Sequence, residues 1–144
     1  EKLWPIEKWM RLLEHLNERN VTVGLLGAPP KVQGAHWKGA DEEEQLVTSG
    51  LVIDLRGKLT MPQVGGALAI TRTVVTIDNG ILHLACAAEA PTVGLFRHGI
   101  HRLWAPPNQH LEVLTSGSED IPVSEISFEL VRDITDVCLQ NNPK

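Results

Sequence analysis

The chain has 144 residues, of which 42% are apolar and 22% are charged, and its formal net charge is −5. This balance is typical of one folded globular domain and excludes an intrinsically disordered chain, because such chains contain few apolar residues. No apolar run reaches the roughly 18 residues of a membrane-spanning helix, no signal-peptide pattern is present, and the acidic balance argues against a nucleic-acid-binding protein.

In chain order, the first predicted element is an amphipathic helix over residues 6–19, where apolar residues recur at helical spacing. Residues 21–27 are nearly all apolar, which predicts a parallel strand buried on both faces. Residues 28–39 are rich in Gly and Pro and indicate a loop. A short helix is predicted over residues 41–48 and a second strand over residues 51–57.

The second half of the chain continues the alternation. It contains a helix over residues 61–70, a strand over 73–78, a helix over 81–88 and strands over 91–96 and 111–116. This regular alternation predicts an α/β fold, a Rossmann-like parallel sheet with helices on both faces, formed by residues 1–144 as a single domain.

A final helix is predicted from an N-cap at Ser124 to about Leu139. Its apolar stripe comprises Ile126, Leu130, Ile134 and Val137.

Two isolated cysteines, Cys86 and Cys138, lack the spacing of a metal or redox site. Cys86 is expected to be a buried free thiol, which favours a reducing, cytoplasmic compartment. The chain begins at Glu1 rather than at a Met, which indicates a piece of a longer protein.

The stretch Asp78-Asn79-Gly80, with His83 three residues later, lies where the third strand becomes a helix. Ligands of open α/β sheets bind at the carboxyl ends of the strands, where the unpaired N–H groups of a helix N-terminus attract phosphate. His83 would be a neutral donor to phosphate or ribose, since the helix dipole disfavours a cationic ring there. A capped turn with a core histidine explains the same residues, and both interpretations stay open.

A second cluster of basic and aromatic residues occupies the loop over residues 97–110. The end of the fourth strand is expected beside the end of the third, so Arg97 and its neighbours are candidates for an anion-facing rim. For any single one of these residues, a merely solvated loop is the stronger interpretation. Metal binding by His98 and His101 is the weaker interpretation, because no carboxylate or Cys completes a site. Lys2, just before a helix start, is a candidate phosphate ligand or a solvated terminal lysine.

Three segments together resemble one family. Residues 2–16, KLWPIEKWMRLLEHL, are similar to its K-x-W-P-x-E-x-[FW] helix start. Residues 55–68, LRGKLTMPQVGGAL, are similar to its L-x-G-K-[TL]-[ST]-x-x-[EQ] segment. Residues 78–96, DNGILHLACAAEAPTVGLF, are similar to its D-[ST]-G-x-x-H-[LI]-A-x-A-x-x-x-P-[TV]-[IV]-x-[LI]-[FY] motif. The family is glycosyltransferase family 9, the ADP-heptose:lipopolysaccharide heptosyltransferases, and the resemblance is to its C-terminal domain.

The resemblance implies half of a GT-B enzyme, whose C-terminal domain holds the nucleotide-sugar donor. Asp78, Asn79, Gly80 and His83 would contact the diphosphate and ribose of the donor, and Lys2 would bind phosphate. An acidic residue after GLLGAP, residues 24–29, would hold the ribose hydroxyls, and Glu42, Glu43 and Glu44 are the candidates.

The family transfers a sugar with inversion, without an obligatory metal or other cofactor, from a donor expected to be ADP-linked. Its general base is a carboxylate of the N-terminal domain, so no catalytic residue and no metal site is expected in this chain. The implied partners are the nucleotide-sugar and a lipopolysaccharide or other glycan acceptor that the absent domain would bind. A peripheral contact with the inner membrane is left open.

The sequence departs from the family pattern at three points. Asn79 stands where the family has Ser or Thr, although its amide still donates hydrogen bonds. FRHGIHRLWAP replaces F-G-P-T-D-P-x-R-W-x-P, which puts Arg97 at a Gly position, where it would pair with phosphate or fill the site. The strand and Gly-rich turn that normally precede K-x-W-P are absent from the sequence.

Three other functions are considered. A different GT-B enzyme, such as a sugar-nucleotide epimerase, has the same donor domain. A non-catalytic module would keep the fold for protein contacts, with Arg97 and His101 filling the crevice. A phospho-acceptor receiver domain would use Asp78, but the acidic pair that it needs after the first strand is missing.

Overall fold

A computed structural model describes residues 2–30 and 39–143. The chain divides into two compact units, Pro5–Val64 and a second formed by Glu1–Trp4 with Gly65–Lys144. Most of the loop predicted over residues 28–39 lies outside the described residues, and the single-domain organisation stays a prediction. No helix in the described part of the chain is long and apolar enough to cross a membrane.

The unit Pro5–Val64 contains the elements α1 (Ile6–Glu18), β1 (Gly24–Leu25), α2 (Ala40–Thr48) and β2 (Ile53–Asp54). Helix α1 buries its apolar face through Leu12, Leu13 and Leu16. It ends where predicted, because Asn20 adopts a left-handed conformation with φ 59°.

Strands β1 and β2 pair in parallel, with Gly24 opposite Ile53. The ladder continues past the formal strand ends, since the N–H of Gly57 donates to the carbonyl of Gly27 at 3.0 Å. The predicted burial of the first strand on both faces is wrong. Thr22 and Gly24 are exposed while Val23 and Leu25 are half-buried, because strand side chains alternate and one face is uncovered.

Helix α3 (Met61–Ile70) has the predicted bounds and crosses the boundary between the units. Beyond α3, the described residues of the larger unit form three strands, three α-helices and one turn of 3₁₀-helix: β3 (Val74–Ile77), α4 (Gly80–Ala87), β4 (Thr92–Phe96), α5 (His101–Trp104), β5 (Leu111–Thr115), the 3₁₀ turn (Val123–Glu125) and α6 (Phe128–Asn141).

The sheet of the larger unit has the order β3-β4-β5 and is parallel throughout, with Ile77 opposite Leu95 and Leu95 opposite Leu114. All five residues of the central strand β4 are buried. Both α4 and α6 pack against β4. On the α4 side, Leu82 and Phe96 form a buried cluster with Cys86. Burial of both strand faces confirms the predicted α/β fold class.

The predicted start of the last helix is wrong. Ser124 lies in the 3₁₀ turn, and the N-cap of α6 is Ser127, whose hydroxyl accepts from the N–H of Leu130 at 3.1 Å. The buried face of the helix also differs from the predicted apolar stripe, since Leu130 is 40% exposed and Val137 is 50% exposed. The buried residues of α6 are Phe128, Val131, Thr135 and Leu139.

Candidate functional site

The N-terminus of α4 begins at the carboxyl end of β3. Asn79 is its N-cap, with its side-chain oxygen accepting from the N–H of Leu82 at 3.2 Å and from the hydroxyl of Thr76 at 3.3 Å. The capped turn that the sequence left open is therefore present. Within the described residues, the N–H groups of Gly80 and Ile81 have no hydrogen-bond partner, so two donors remain for an anion.

Beside this helix end lies a cavity of about 410 Å³, a volume within the range of small-molecule sites. Ten residues line it: Lys2, Asp78, Asn79, Gly80, His83, Leu95, Arg97, Ile100, Trp104 and Val123. They include six of the residues that the sequence analysis put forward for donor binding, which come from three separate stretches of chain. The structure thus brings these six residues together around one cavity, and their contact with a donor stays a prediction.

The ammonium of Lys2 lies 3.8 Å from a carboxylate oxygen of Asp78. The Lys2 side chain is 58% exposed and that of Asp78 is 13% exposed. A long pair with one exposed partner contributes little to stability, on the order of 0–1 kcal/mol. Asp78 therefore directs the ammonium toward the cavity without holding it in a tight bond.

His83 is exposed on the first turn of α4 and lines the cavity, so the interpretation as a core histidine is wrong. Arg97, directly after β4, is also exposed and lines the same cavity. The parallel sheet explains this proximity, because the carboxyl ends of β3 and β4 lie side by side. His83 and Arg97 thus line one cavity.

The loop after β4 forms the short helix α5, which the sequence analysis did not predict. The rings of His98 and His101 are tilted by 53° to each other with their centroids 5.2 Å apart, and neither lines the cavity. The Nδ1 atom of His98 hydrogen-bonds the hydroxyl of Thr115 at 3.0 Å. Among the described residues, no group of three or more His, Cys, Asp or Glu side chains is arranged to hold a metal ion.

The cavity has an apolar wall, of which the sequence indicated only Trp104, as a member of the basic and aromatic cluster over residues 97–110. It is formed by Leu95, Ile100, Trp104 and Val123. Leu95 and Ile100 could have been identified from the sequence as site residues, because they lie at and just beyond the carboxyl end of β4. Val123 could not, since it reaches the site only through the turn before α6.

The acidic triplet of α2 has partners within its own unit. Arg56, whose side chain is 2% exposed, binds Asp54 at 2.9 Å, Glu44 at 2.6 Å and Glu43 at 3.5 Å. The Oε2 atom of Glu42 is buried and has no hydrogen-bond partner among the described residues. The ribose contact of this triplet stays a prediction.

Both cysteines are free, and Cys86 is buried as expected. Burial raises the pKa of the Cys86 thiol and that of the Cys138 thiol above their ordinary values. A raised pKa keeps a thiol protonated near neutral pH and makes it a poor nucleophile. The two thiols are therefore structural in character.

Comparison with known proteins gives one consistent family. The sequence model described as glycosyltransferase family 9 (heptosyltransferase) matches residues 1–127. The chain is 28% identical over 105 residues to the Escherichia coli lipopolysaccharide heptosyltransferase 3, an alignment that covers 73% of this chain and 30% of the relative.

Solved structures share the fold. The E. coli ADP-heptose lipopolysaccharide heptosyltransferase II matches 99% of this chain with a TM-score of 0.80 at 19% identity, and 44% of its own chain is covered. The E. coli heptosyltransferase WaaC with ADP matches 95% of this chain with a TM-score of 0.77 at 20% identity, and 40% of its own chain is covered. This chain therefore spans less than half the length of these proteins.

Proposed function

Because the chain belongs to glycosyltransferase family 9, we propose that it is the nucleotide-sugar-binding, C-terminal domain of an inverting GT-B glycosyltransferase. The proposal rests on one cavity at the carboxyl ends of β3 and β4, which is lined by Lys2, Gly80, His83 and Arg97. Cations and free N–H groups meet there, which is the chemistry that binds a diphosphate.

The diphosphate of the donor lies against the N-terminus of α4 in this proposal. The N–H groups of Gly80 and Ile81 donate to phosphate oxygens, and Lys2 and Arg97 supply positive charge from two sides. His83 donates one ring N–H to phosphate or ribose. Asn79 shapes the turn by capping the helix, so its amide oxygen is already used.

The same groups support the departure of the leaving group. In an inverting transfer, an acceptor oxygen forms a bond to the anomeric carbon while the bond from that carbon to the diphosphate oxygen breaks. The leaving oxygen gains negative charge as the bond breaks, and fixed N–H groups and cations stabilise it. A carboxylate outside this chain takes the proton of the acceptor, so the chain alone turns nothing over.

An ADP-linked sugar, heptose or a related one, is the proposed donor, and lipopolysaccharide or another glycan is the proposed acceptor. The support is the named relatives, an ADP-heptose lipopolysaccharide heptosyltransferase and a heptosyltransferase with ADP, which share this fold. No metal or other cofactor is part of the proposal. A sugar-nucleotide epimerase has the same donor domain, and assays of the full-length protein distinguish it from a transferase.

The alternative of a non-catalytic module gains no support from the cavity. A crevice filled by Arg97 and His101 would favour it, whereas His101 lies outside the cavity lining and Arg97 lines a cavity of about 410 Å³. The donor-binding function is the better supported of the two.

Calorimetric titration of the 144-residue chain with ADP, UDP and GDP tests the proposal. We expect weak binding, strongest for ADP, that His83→Ala reduces. His110→Ala is the matched control, because the imidazole of His110 is outside the cavity lining and meets only the Gln109 amide, at 3.4 Å. Absence of binding by all three nucleotides, or equal affinity in both variants, would contradict the donor-site assignment.

A further inference from the structure

The cavity presents two chemically different walls. Lys2, Gly80, His83 and Arg97 offer charge and hydrogen bonds, whereas Leu95, Ile100, Trp104 and Val123 offer apolar surface. A phosphate satisfies only the first wall. A ligand that fills the cavity therefore carries, next to its phosphate, a group with an apolar face.

Trp104 is the most exposed member of the apolar wall. Its side chain lines the cavity and is 60% exposed. Among the described residues, its indole N–H has no hydrogen-bond partner and its ring contacts no other ring. An exposed indole that lines a cavity is a candidate ligand contact, because Trp side chains are highly buried on average.

Local structure directs this ring. Gly99 adopts φ +86°, a conformation that L side chains rarely adopt, and turns the chain after β4 into α5. Ile100 and Trp104 are four residues apart, joined by the N–H of Trp104 donating to the carbonyl of Ile100 at 3.1 Å. They therefore share one side of the turn. Their neighbour Leu103 is 76% exposed and does not line the cavity.

We propose that Trp104 is the platform on which the sugar ring of the nucleotide-sugar stacks, and that it sets specificity for that sugar. This inference rests on the proposed function and deepens it. One face of a pyranose ring presents C–H groups with slight positive charge, which complement the electron-rich face of an indole. Ring and diphosphate are directly linked in the donor, as the apolar and polar walls are adjacent in the cavity.

The exposure of Trp104 favours the sugar over the nucleotide base. The group that is transferred has to stay open to the acceptor, so its platform has to be exposed, as the 60% exposed Trp104 is. A base gains most when both of its faces are covered, and a side chain that is 60% exposed does not provide that.

Titration with ADP and with ADP-glucose tests the inference. We expect the wild-type chain to bind ADP-glucose more tightly than ADP, and Trp104→Ala to weaken ADP-glucose binding by about tenfold while leaving ADP binding within about twofold. Leu103→Ala, on the same turn, should change neither affinity, and Trp104→Phe should restore part of the loss. Upfield shifts of the sugar C–H protons in NMR spectra should appear with wild type and vanish with Trp104→Ala.

Equal losses for ADP and ADP-glucose would place the base, and not the sugar, on Trp104 and overturn the inference. Unchanged affinities in Trp104→Ala, or equal affinities of wild type for the two ligands, would overturn it as well while leaving the proposed function intact. A wild-type chain that binds neither ligand would overturn both.

Discussion

The indole Nε1 atom of Trp4 donates a buried hydrogen bond to the backbone carbonyl of Ile126 at 2.9 Å, between residues 122 positions apart. Trp4 is 2% exposed and Ile126 is 1% exposed. The bond fixes the first residues of the chain against the segment that follows the 3₁₀ turn. It therefore holds together the two segments that contribute Lys2 and Val123 to the cavity lining.

Trp4→Phe should lower the free energy of unfolding by about 1–3 kcal/mol, because the variant removes this buried hydrogen bond to the carbonyl of Ile126. Urea denaturation measures the loss. Leu103→Ala is the control, since Leu103 is 76% exposed and its truncation should cost less than about 0.5 kcal/mol. Equal stability of Trp4→Phe and wild type would show that the bond contributes nothing.

The same contact explains why the start of α6 could not be predicted. In a helix capped by Ser124, the carbonyl of Ile126 would accept from the N–H of Leu130. Instead, that carbonyl accepts from Trp4 and the N–H of Leu130 donates to Ser127. The competing partner is far away in sequence, so no local pattern indicates it.

Other parts of the fold could be predicted because the pattern of residues close together in the sequence determines them. The spacing of apolar residues and the turn residues between them predict helix α3 and the strands β3 to β5. The site residues could be predicted as well, because they lie at the ends of these strands. Arg56 was not recognised as a buried residue. Its burial depends on Glu43 and Glu44 reaching it from α2, a tertiary contact between residues 12 or 13 positions apart.

Arg56→Met should destabilise the chain by about 2–3 kcal/mol at neutral pH, because Asp54, Glu43 and Glu44 would keep their charges without a cation. Urea denaturation measures the difference. Arg132→Met is the matched control: the side chain of Arg132 is 34% exposed and pairs with Asp133, which is 62% exposed, so its loss should change stability far less than the loss of Arg56.

The free energy of unfolding should also decrease as the solution is made acidic. The hydrogen bond from the Arg56 side chain to Asp54 lowers the pKa of that carboxyl from 3.8 to about 2. The folded-state pKa lies below the unfolded one, so the contribution of this pair is fully present above about pH 4 and is lost as the pH falls toward 2. It amounts to about 1 kcal/mol after allowance for solvent screening.

Denaturation curves of wild type and Arg56→Met, recorded between pH 6 and pH 2, measure this dependence. The stability gap between them should narrow below about pH 4 as the carboxylates become protonated. A gap that stays constant down to pH 2 would show that the ion pairs do not account for the effect of the substitution.

Lys2→Ala should weaken ADP binding while leaving the stability of the fold nearly unchanged. The Lys2–Asp78 pair is long and Lys2 is 58% exposed, so stability should change by less than about 0.5 kcal/mol. Affinity for ADP should fall several-fold, and its dependence on salt should become shallower, because one phosphate-facing charge is gone. Lys8→Ala, outside the cavity lining, is the control for charge alone. Calorimetry at two salt concentrations makes the comparison, and equal ADP affinities for the two variants would contradict a phosphate role for Lys2.

Two glycines of the same unit should respond in opposite ways to a larger side chain. A Cβ atom at Gly80 would meet no heavy atom within 4 Å, so Gly80→Val should fold with little change in stability. It would, however, place methyl groups where the phosphate approaches the backbone, and ADP binding should be lost. A Cβ atom at Gly94 would lie 2.8 Å from the ring of Phe96 and 2.9 Å from Leu82, both fully buried.

Gly94→Ala should therefore cost about 1–3 kcal/mol of stability through overpacking, while the fraction that remains folded keeps its affinity for ADP. Urea denaturation and calorimetry on both variants give the four values. If Gly80→Val bound ADP like wild type, the α4 N-terminus would not be where the phosphate lies. If Gly94→Ala were as stable as wild type, the packing of α4 against β4 would be looser than the buried contacts of Leu82 and Phe96 indicate.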